Sequence, residues 1–104
     1  MEARLIDQDP IQPTAIEHRC EEIVSEGKLE QKYNYIIYHF DCGGVYFWAR
    51  TYLDDIRTVS LHGPFESRAS KRLTSGSFDE AVLAYLRRRF GNVQALQNDG
   101  YAPI

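Results

Sequence analysis

Residues 33–52, YNYIIYHFDCGGVYFWARTY, decide how this chain folds. Two runs rich in aromatic and β-branched residues flank Asp41-Cys42-Gly43-Gly44, which supplies turn chemistry, so the stretch reads as a β-hairpin. Side chains alternate between the two faces of a strand. One face takes Ile36, Tyr38, Phe40, Val45, Phe47, Ala49 and Thr51. The other takes Tyr33, Tyr35, Ile37, His39, Tyr46, Trp48, Arg50 and Tyr52. A hairpin needs only one apolar face to sit on a core, so the second aromatic face has to be explained. Tyr, Trp and Arg are the residue types that dominate binding surfaces.

The hairpin's strands are expected at about residues 30–40 and 45–52, and a third strand at about 56–62. The length of the loop before that third strand decides its orientation, because a one-residue slip exchanges its faces. A two-residue loop at Asp54-Asp55 would place Ile56, Thr58 and Ser60 on the first face. A three-residue loop, Leu53 to Asp55, places Val59 opposite Ala49 and Leu61 opposite Phe47. The second arrangement is preferred because it gives one continuous apolar face. His62 then joins the second face beside His39 and Tyr46. The next rows are Ile37, Trp48 and Ser60, then Tyr35, Arg50 and Thr58.

Upstream, Thr14 with Glu17 reads as a capping box that opens a helix running to about Ser25, with Gly27 ending it. Ile16, Cys20, Ile23 and Val24 share one helical face. Glu17, Glu21, Glu22 and Glu26 cover much of the remainder as a solvated surface. Downstream, residues 63–76 read as a polar loop. Ser77 with Glu80 opens a second helix to about Phe90, with Phe78, Ala81, Val82, Tyr85, Leu86 and Phe90 as its stripe. Arg87, Arg88 and Arg89 fall in its last turn, where cations suit the helix dipole. Residues 1–13 form an irregular lead-in, and the tail from Val93 to Ile104 packs down, available as a fourth strand. The expected fold is one α+β domain over residues 1–104. It is a two-layer sandwich of α-β-β-β-α order, with a three-stranded antiparallel sheet and both helices on its first face.

Composition narrows the classes. A chain of 104 residues with 43% hydrophobic and 26% charged residues is an ordinary single globular domain. Eight of its aromatic residues lie in the hairpin. The net charge of -3 and pI near 5.5 exert no pull toward nucleic acid or an anionic membrane. Acid gathers in residues 1–52, nine Asp/Glu against five Lys/Arg. Base gathers at Arg68, Lys71 and Arg72 and at Arg87 to Arg89. Two cysteines, Cys20 and Cys42, make no disulfide scaffold, so a reducing cytoplasm is expected. Residues 1–9 hold Glu2, Asp7 and Asp9 and no long apolar run, so no secretory leader is expected. No apolar stretch approaches the ~18–20 residues of a membrane span.

The chemistry-bearing motifs are sparse. His39 and Cys42 have HxxC spacing with His62 and Asp41 near, a poor set for a zinc site, which wants three or four well-directed ligands. Cys42 beside His39 lacks a third orienting group for nucleophilic work. Gly43-Gly44 is a turn rather than a phosphate cradle, since no helix follows. Asp54 and Asp55, adjacent in a turn, point apart rather than across a cleft. No enzyme activity, metal or cofactor is expected.

The order α-β-β-β-α is similar to that of the double-stranded RNA-binding domain, in which a basic motif opens the second helix. Here that helix opens with Ser77-Phe78-Asp79-Glu80, which is acidic, so the resemblance rests on element order alone. The leading expectation is a non-catalytic interaction module, homodimeric or docking another protein. Its second face would carry the contact: Tyr33, Tyr35, Ile37, His39, Tyr46, Trp48, Arg50, Tyr52 and His62. The alternatives are a small-ligand site on that face, walled by Tyr35, Trp48, Arg50 and His62; an immunity or antitoxin type of accessory protein; and a weak RNA-binding domain.

Overall fold

The computed structural model describes residues 11–70, 72–74, 78–97 and 100–104. Among the described residues, six strands form one mixed sheet in sequence order, with a single helix between the fourth and fifth. They are β1 (Ala15–Ser25), β2 (Lys28–Cys42), β3 (Val45–Tyr52), β4 (Asp55–Phe65), β5 (Asn92–Gln97) and β6 (Gly100–Pro103); α1 spans Glu80–Arg89. The first four strands make an antiparallel meander, β5 runs parallel to β4, and β6 turns back on β5. The fold is therefore mostly β. It is not the expected three-stranded α-β-β-β-α sandwich with two helices.

The correction begins at residues 14–25, expected as a helix and found as β1. The helical stripe of Ile16, Cys20, Ile23 and Val24 would have needed a core to face, but all four are exposed. What holds the segment instead is β2, whose 15 residues extend well beyond the length of β3 and need a partner. Glu26 and Gly27 both take positive φ, 54° and 78°. This is the backbone of a two-residue hairpin turn, not of a helix C-cap. Glu30 on β2 is skipped in the pairing between Ile23↔Gln31 and Val24↔Leu29, so the bulge lies on β2 and β1 itself runs without interruption. With the first helix gone, the likeness in element order to the double-stranded RNA-binding domain no longer holds.

The central hairpin follows its sequence reading closely. Cys42 pairs with Val45, and Gly43-Gly44 turns at φ 56° and 89°. The face sorting is as expected, with Val59 and Leu61 on the first face beside Phe40, Phe47 and Ala49. The rows differ. His39, Trp48 and His62 share one row, and Ile37, Arg50 and Ser60 the next. The β3–β4 loop has two residues, Leu53-Asp54, between the pair Tyr52↔Asp55. A register irregularity between Arg50 and Tyr52 then restores Val59 and Leu61 to the apolar face, so a bulge does the work assigned to a longer loop.

The polar segment read as a loop from residue 63 begins later, because β4 continues to Phe65. Phe65 then bridges to Leu73. Asp79, not Ser77, caps α1; its Oδ1 accepts from the N–H groups of Ala81 at 2.8 Å and Val82 at 3.3 Å. Ser77 and the lead-in over residues 1–10 lie outside the described residues. The helix lays Val82, Leu83, Tyr85 and Leu86 on Phe40, Phe47, Ala49, Val59, Leu61 and Val93. Tyr85 meets Phe40 edge-on at 5.4 Å, worth about 1 kcal/mol beyond the area it buries. Arg89 closes the last turn, its guanidinium 3.6 Å from the Tyr85 ring centre and donating to the Tyr85 carbonyl. A parallel strand cannot follow β4 through a tight turn, and the loop with α1 is the crossover that β5 requires. The tail, expected to offer one strand, supplies two.

The radius of gyration is 15.7 Å, against about 13 Å for a compact domain of this length. The excess has a visible source. Residues 18–33, the distal part of the β1–β2 hairpin, are exposed throughout and project as a two-stranded ribbon. Among the described residues no helix is long and apolar enough to cross a membrane.

Candidate functional site

The second sheet face, away from α1, carries three linked groups of side chains. The first is a hydrogen-bonded relay. Strand β1 places Glu17 beside Ile37 and Arg19 beside Tyr35, so its odd-numbered residues extend this face. His39 Nδ1 meets the Tyr46 hydroxyl, and His39 Nε2 meets Glu17 Oε1. Burial pushes the Tyr46 phenol's pKa up, so the hydroxyl keeps its proton beside Nδ1. Nε2–H donates to the Glu17 carboxylate, which can only accept. The His39 hydrogen bond, with Arg19's charge behind it, holds Glu17 below its ordinary carboxyl range despite partial desolvation. Arg68 approaches from the loop after β4, its Nη2 3.6 Å from Glu17 Oε1.

Tyr46 and His39 are both buried, so the relay braces the sheet. Tyr46→Phe would leave His39 Nδ1 without its hydrogen-bond partner in a dry site. It is expected to cost about 1–3 kcal/mol, read as a shift in urea unfolding midpoint at unchanged slope. A change under about 0.5 kcal/mol would show that the phenol is not bonded to His39.

The second group is a stack. The Trp48 and His62 rings lie 3.8 Å apart and only 7° from parallel. Tyr101 of β6 meets His62 edge-on at 5.6 Å, and its hydroxyl lies 3.3 Å from His62 Nε2. The tail thus reaches one border of the second face, while Ile104 packs against the core on the other side. Desolvation, then the nearby Arg50 charge, lowers the His62 pKa to about 4, so the ring is neutral at pH 7.

The third group surrounds Arg50. Its guanidinium carbon lies 5.1 Å from the ring centre of Tyr52, 5.6 Å from Trp48 and 5.9 Å from Tyr35. Cation–π attraction accounts for this caging, at roughly 0.5–2 kcal/mol per partly desolvated contact. The Arg50 Nε is out of solvent and has no hydrogen-bond partner among the described residues. Arg19, Tyr35, Ile37, His39, Trp48 and Arg50 together line a depression of about 150 Å³. Two larger depressions, of about 280 and 320 Å³, lie at the β3–β4 turn and beside the start of β5; neither contains an arginine.

The structure gathers most of the expected residues. Tyr35, Ile37, His39, Trp48 and Arg50 line the depression, and His62 backs Trp48. Tyr46 sits beneath as part of the relay, Tyr52 packs between Tyr33 and Tyr35 at the border, and Tyr33 is exposed. Tyr35, Ile37, His39, Tyr46 and His62 are already buried within the chain, so this is less an open sheet than a small recess. Cys42 faces the core side, opposite His39, and burial with the nearby carboxylates raises its thiol pKa to about 11.

Sequence reasoning missed Glu17, Arg19 and Arg68. Glu17 was assigned to a solvated helix surface, and Arg19 was given no role. Residues 15–19, AIEHR, carry no apolar/polar alternation that would have announced a strand, so pairing with β2 alone brings Glu17 and Arg19 to this face. Arg68 comes from a loop whose path carries no local signature. Comparison with protein-family models, with curated proteins and with solved structures found no match for this chain.

Proposed function

We propose that this domain is a non-catalytic binding module that takes a small, planar anion of single-ring size, an aromatic carboxylate, in the recess on its second sheet face. The observation that carries the reading is Arg50: a cation held among three rings, with a shielded Nε–H that has no acceptor among the described residues. Buried donors are normally matched, and one left over at the wall of a recess invites an acceptor from outside the chain. A carboxylate is the natural partner, because a guanidinium offers paired donors to its two oxygens. Arg19 adds a second positive charge. Trp48, Tyr35 and Ile37 supply the apolar surface for a ring, and about 150 Å³ is the volume that accommodates benzene in an engineered apolar cavity.

Trp48 is the only tryptophan, so its fluorescence reports on this recess directly. Titration with benzoate and nicotinate, single-ring carboxylates that lack the indole emission, is expected to change the Trp48 emission saturably. Arg50→Met, which keeps the length of the side chain and removes its charge, should weaken binding by about tenfold or more, the equivalent of one charge-assisted hydrogen bond. No saturable response to either compound at ~10 mM, a level that still detects binding weaker than 4 kcal/mol, would remove the reading. So would equal affinity in wild type and a folded Arg50→Met variant.

A further inference from the structure

The outer edge of β1 is the conspicuous unused surface of this fold. The sheet has two edges. One is β6, four residues long and ending in proline, a typical blunted edge. The other is β1, 11 residues long and regular, with no strand on its outer side among the described residues. It belongs to the projecting ribbon, on which Ile16, Ile23, Val24 and Leu29 are 59%, 46%, 57% and 55% exposed. A two-stranded ribbon is marginal alone, and a long unprotected edge is a template for another strand.

The order of residues along β1 names the strand that fits. We propose that two copies of this chain associate through β1, antiparallel, about a two-fold axis at Cys20, joining their sheets into one. Cys20 is the middle residue of Ala15–Ser25, so this register alone pairs the whole strand. Arg19 then faces Glu21 of the second copy, His18 faces Glu22, and Ile16 faces Val24. The symmetry repeats each pair, giving two arginine–glutamate pairs, two histidine–glutamate pairs and two apolar contacts that cover exposed residues, with Glu17 set against Ile23.

The neighbouring symmetric registers are worse. An axis at Arg19 sets Arg19 against Arg19 and Glu17 against Glu21. An axis at Glu21 sets Glu21 against Glu21 and Cys20 against Glu22. Like charges directly opposite oppose strand pairing. Within its own chain Arg19 already reaches Glu17 at 3.4 Å, so Glu21 of the second copy gives it a carboxylate on each side. Arg19 borders both this edge and the recess around Arg50, but association needs no ligand and the recess needs no second copy, so the chain mass and the ligand titration fail independently.

The two-fold places Cys20 opposite its own copy. Directly opposed residues on antiparallel strands lie about 4.5–5.5 Å apart between Cα atoms, within disulfide reach. Light scattering at ~100 µM protein, a concentration that populates even weak dimers, should give twice the chain mass of 12.0 kDa. Oxidation of Cys42→Ser with diamide should trap a covalent dimer, and Cys20→Ser should abolish it. Glu21→Arg sets two arginine pairs face to face and should raise the dissociation constant by about tenfold or more. The swap Arg19→Glu/Glu21→Arg should restore it, which mere loss of folding would not allow. A monomer mass overturns the proposal. A dimer that neither crosslinks through Cys20 nor responds to Glu21→Arg overturns it equally, by placing the interface elsewhere.

Discussion

Gly63→Ala is expected to destabilise the domain by about 2–5 kcal/mol, from two effects that add at one atom. Gly63 sits at φ 128°, a conformation that side-chain-bearing residues rarely adopt. A methyl group there would also lie 2.9 Å from the Tyr46 carbonyl oxygen and 2.9 Å from Phe47 Cδ1. The oxygen belongs to the backbone of β3, and Phe47 is fully buried in the core, so neither gives way cheaply. The register irregularity between Tyr46 and Trp48, opposite Gly63, shows how the glycine is used: it lets β4 pass close against β3 while Phe65 comes opposite Tyr46. Urea unfolding reads the loss. A variant within about 0.5 kcal/mol of wild type would mean that β4 passes β3 by another path.

The second large effect is an acid lability set by His62. Its folded-state pKa is near 4, against roughly 6.5 in an unfolded chain. Above pH 6.5 the ring is neutral in both states and contributes no slope. Below that, the unfolded chain takes up a proton that the folded chain refuses, so stability falls steadily until about pH 4. Allowing for water that still reaches the ring, the loss amounts to about 2–3 kcal/mol across that window. Glu17, whose pKa is lowered, adds its own loss only below the ordinary carboxyl range, so the two windows separate. Unfolding free energy measured from pH 7.5 to 4.5 should slope in wild type and flatten in His62→Gln. That variant starts lower because the stack on Trp48 is gone; the slope is the readout. Equal slopes would remove His62 as the source.

The central hairpin was legible because each of its signals is local. Gly43-Gly44 demands positive φ, and the alternation from Tyr35 to Tyr52 assigns every side chain to a face without knowledge of the rest. The helix from Glu80 was legible for the same reason, since its stripe and its basic last turn lie within the segment. Residues 14–25 were not, because Thr14, Glu17 and Gly27 carry helix signals that β1 overrides through its pairing with β2, a tertiary effect. In the recess, the aromatic and Arg50 side was readable from alternation alone. The acidic arm, Glu17 on His39, was lost with the strand that carries it. The rows shifted by two residues on both sides of β3: the turn to β2 tightened to Gly43-Gly44 with Cys42 opposite Val45, and a bulge, invisible to periodicity, replaced an extra loop residue toward β4.

The placement of α1 has a consequence for the order in which the chain acquires its structure. Strands β1 to β4 are joined by three two-residue turns, so their pairings are short in sequence and close early. The helix that covers Phe40, Phe47, Ala49, Val59 and Leu61 comes only after Phe65, and β5 must then pair in parallel across that crossover. A nascent chain leaving the ribosome therefore completes its meander before its lid exists. During that interval the apolar face is bare, the state in which small β proteins associate wrongly. Yield on expression should depend on residues 80–97 more than their modest length suggests, because they end the exposure rather than begin the fold.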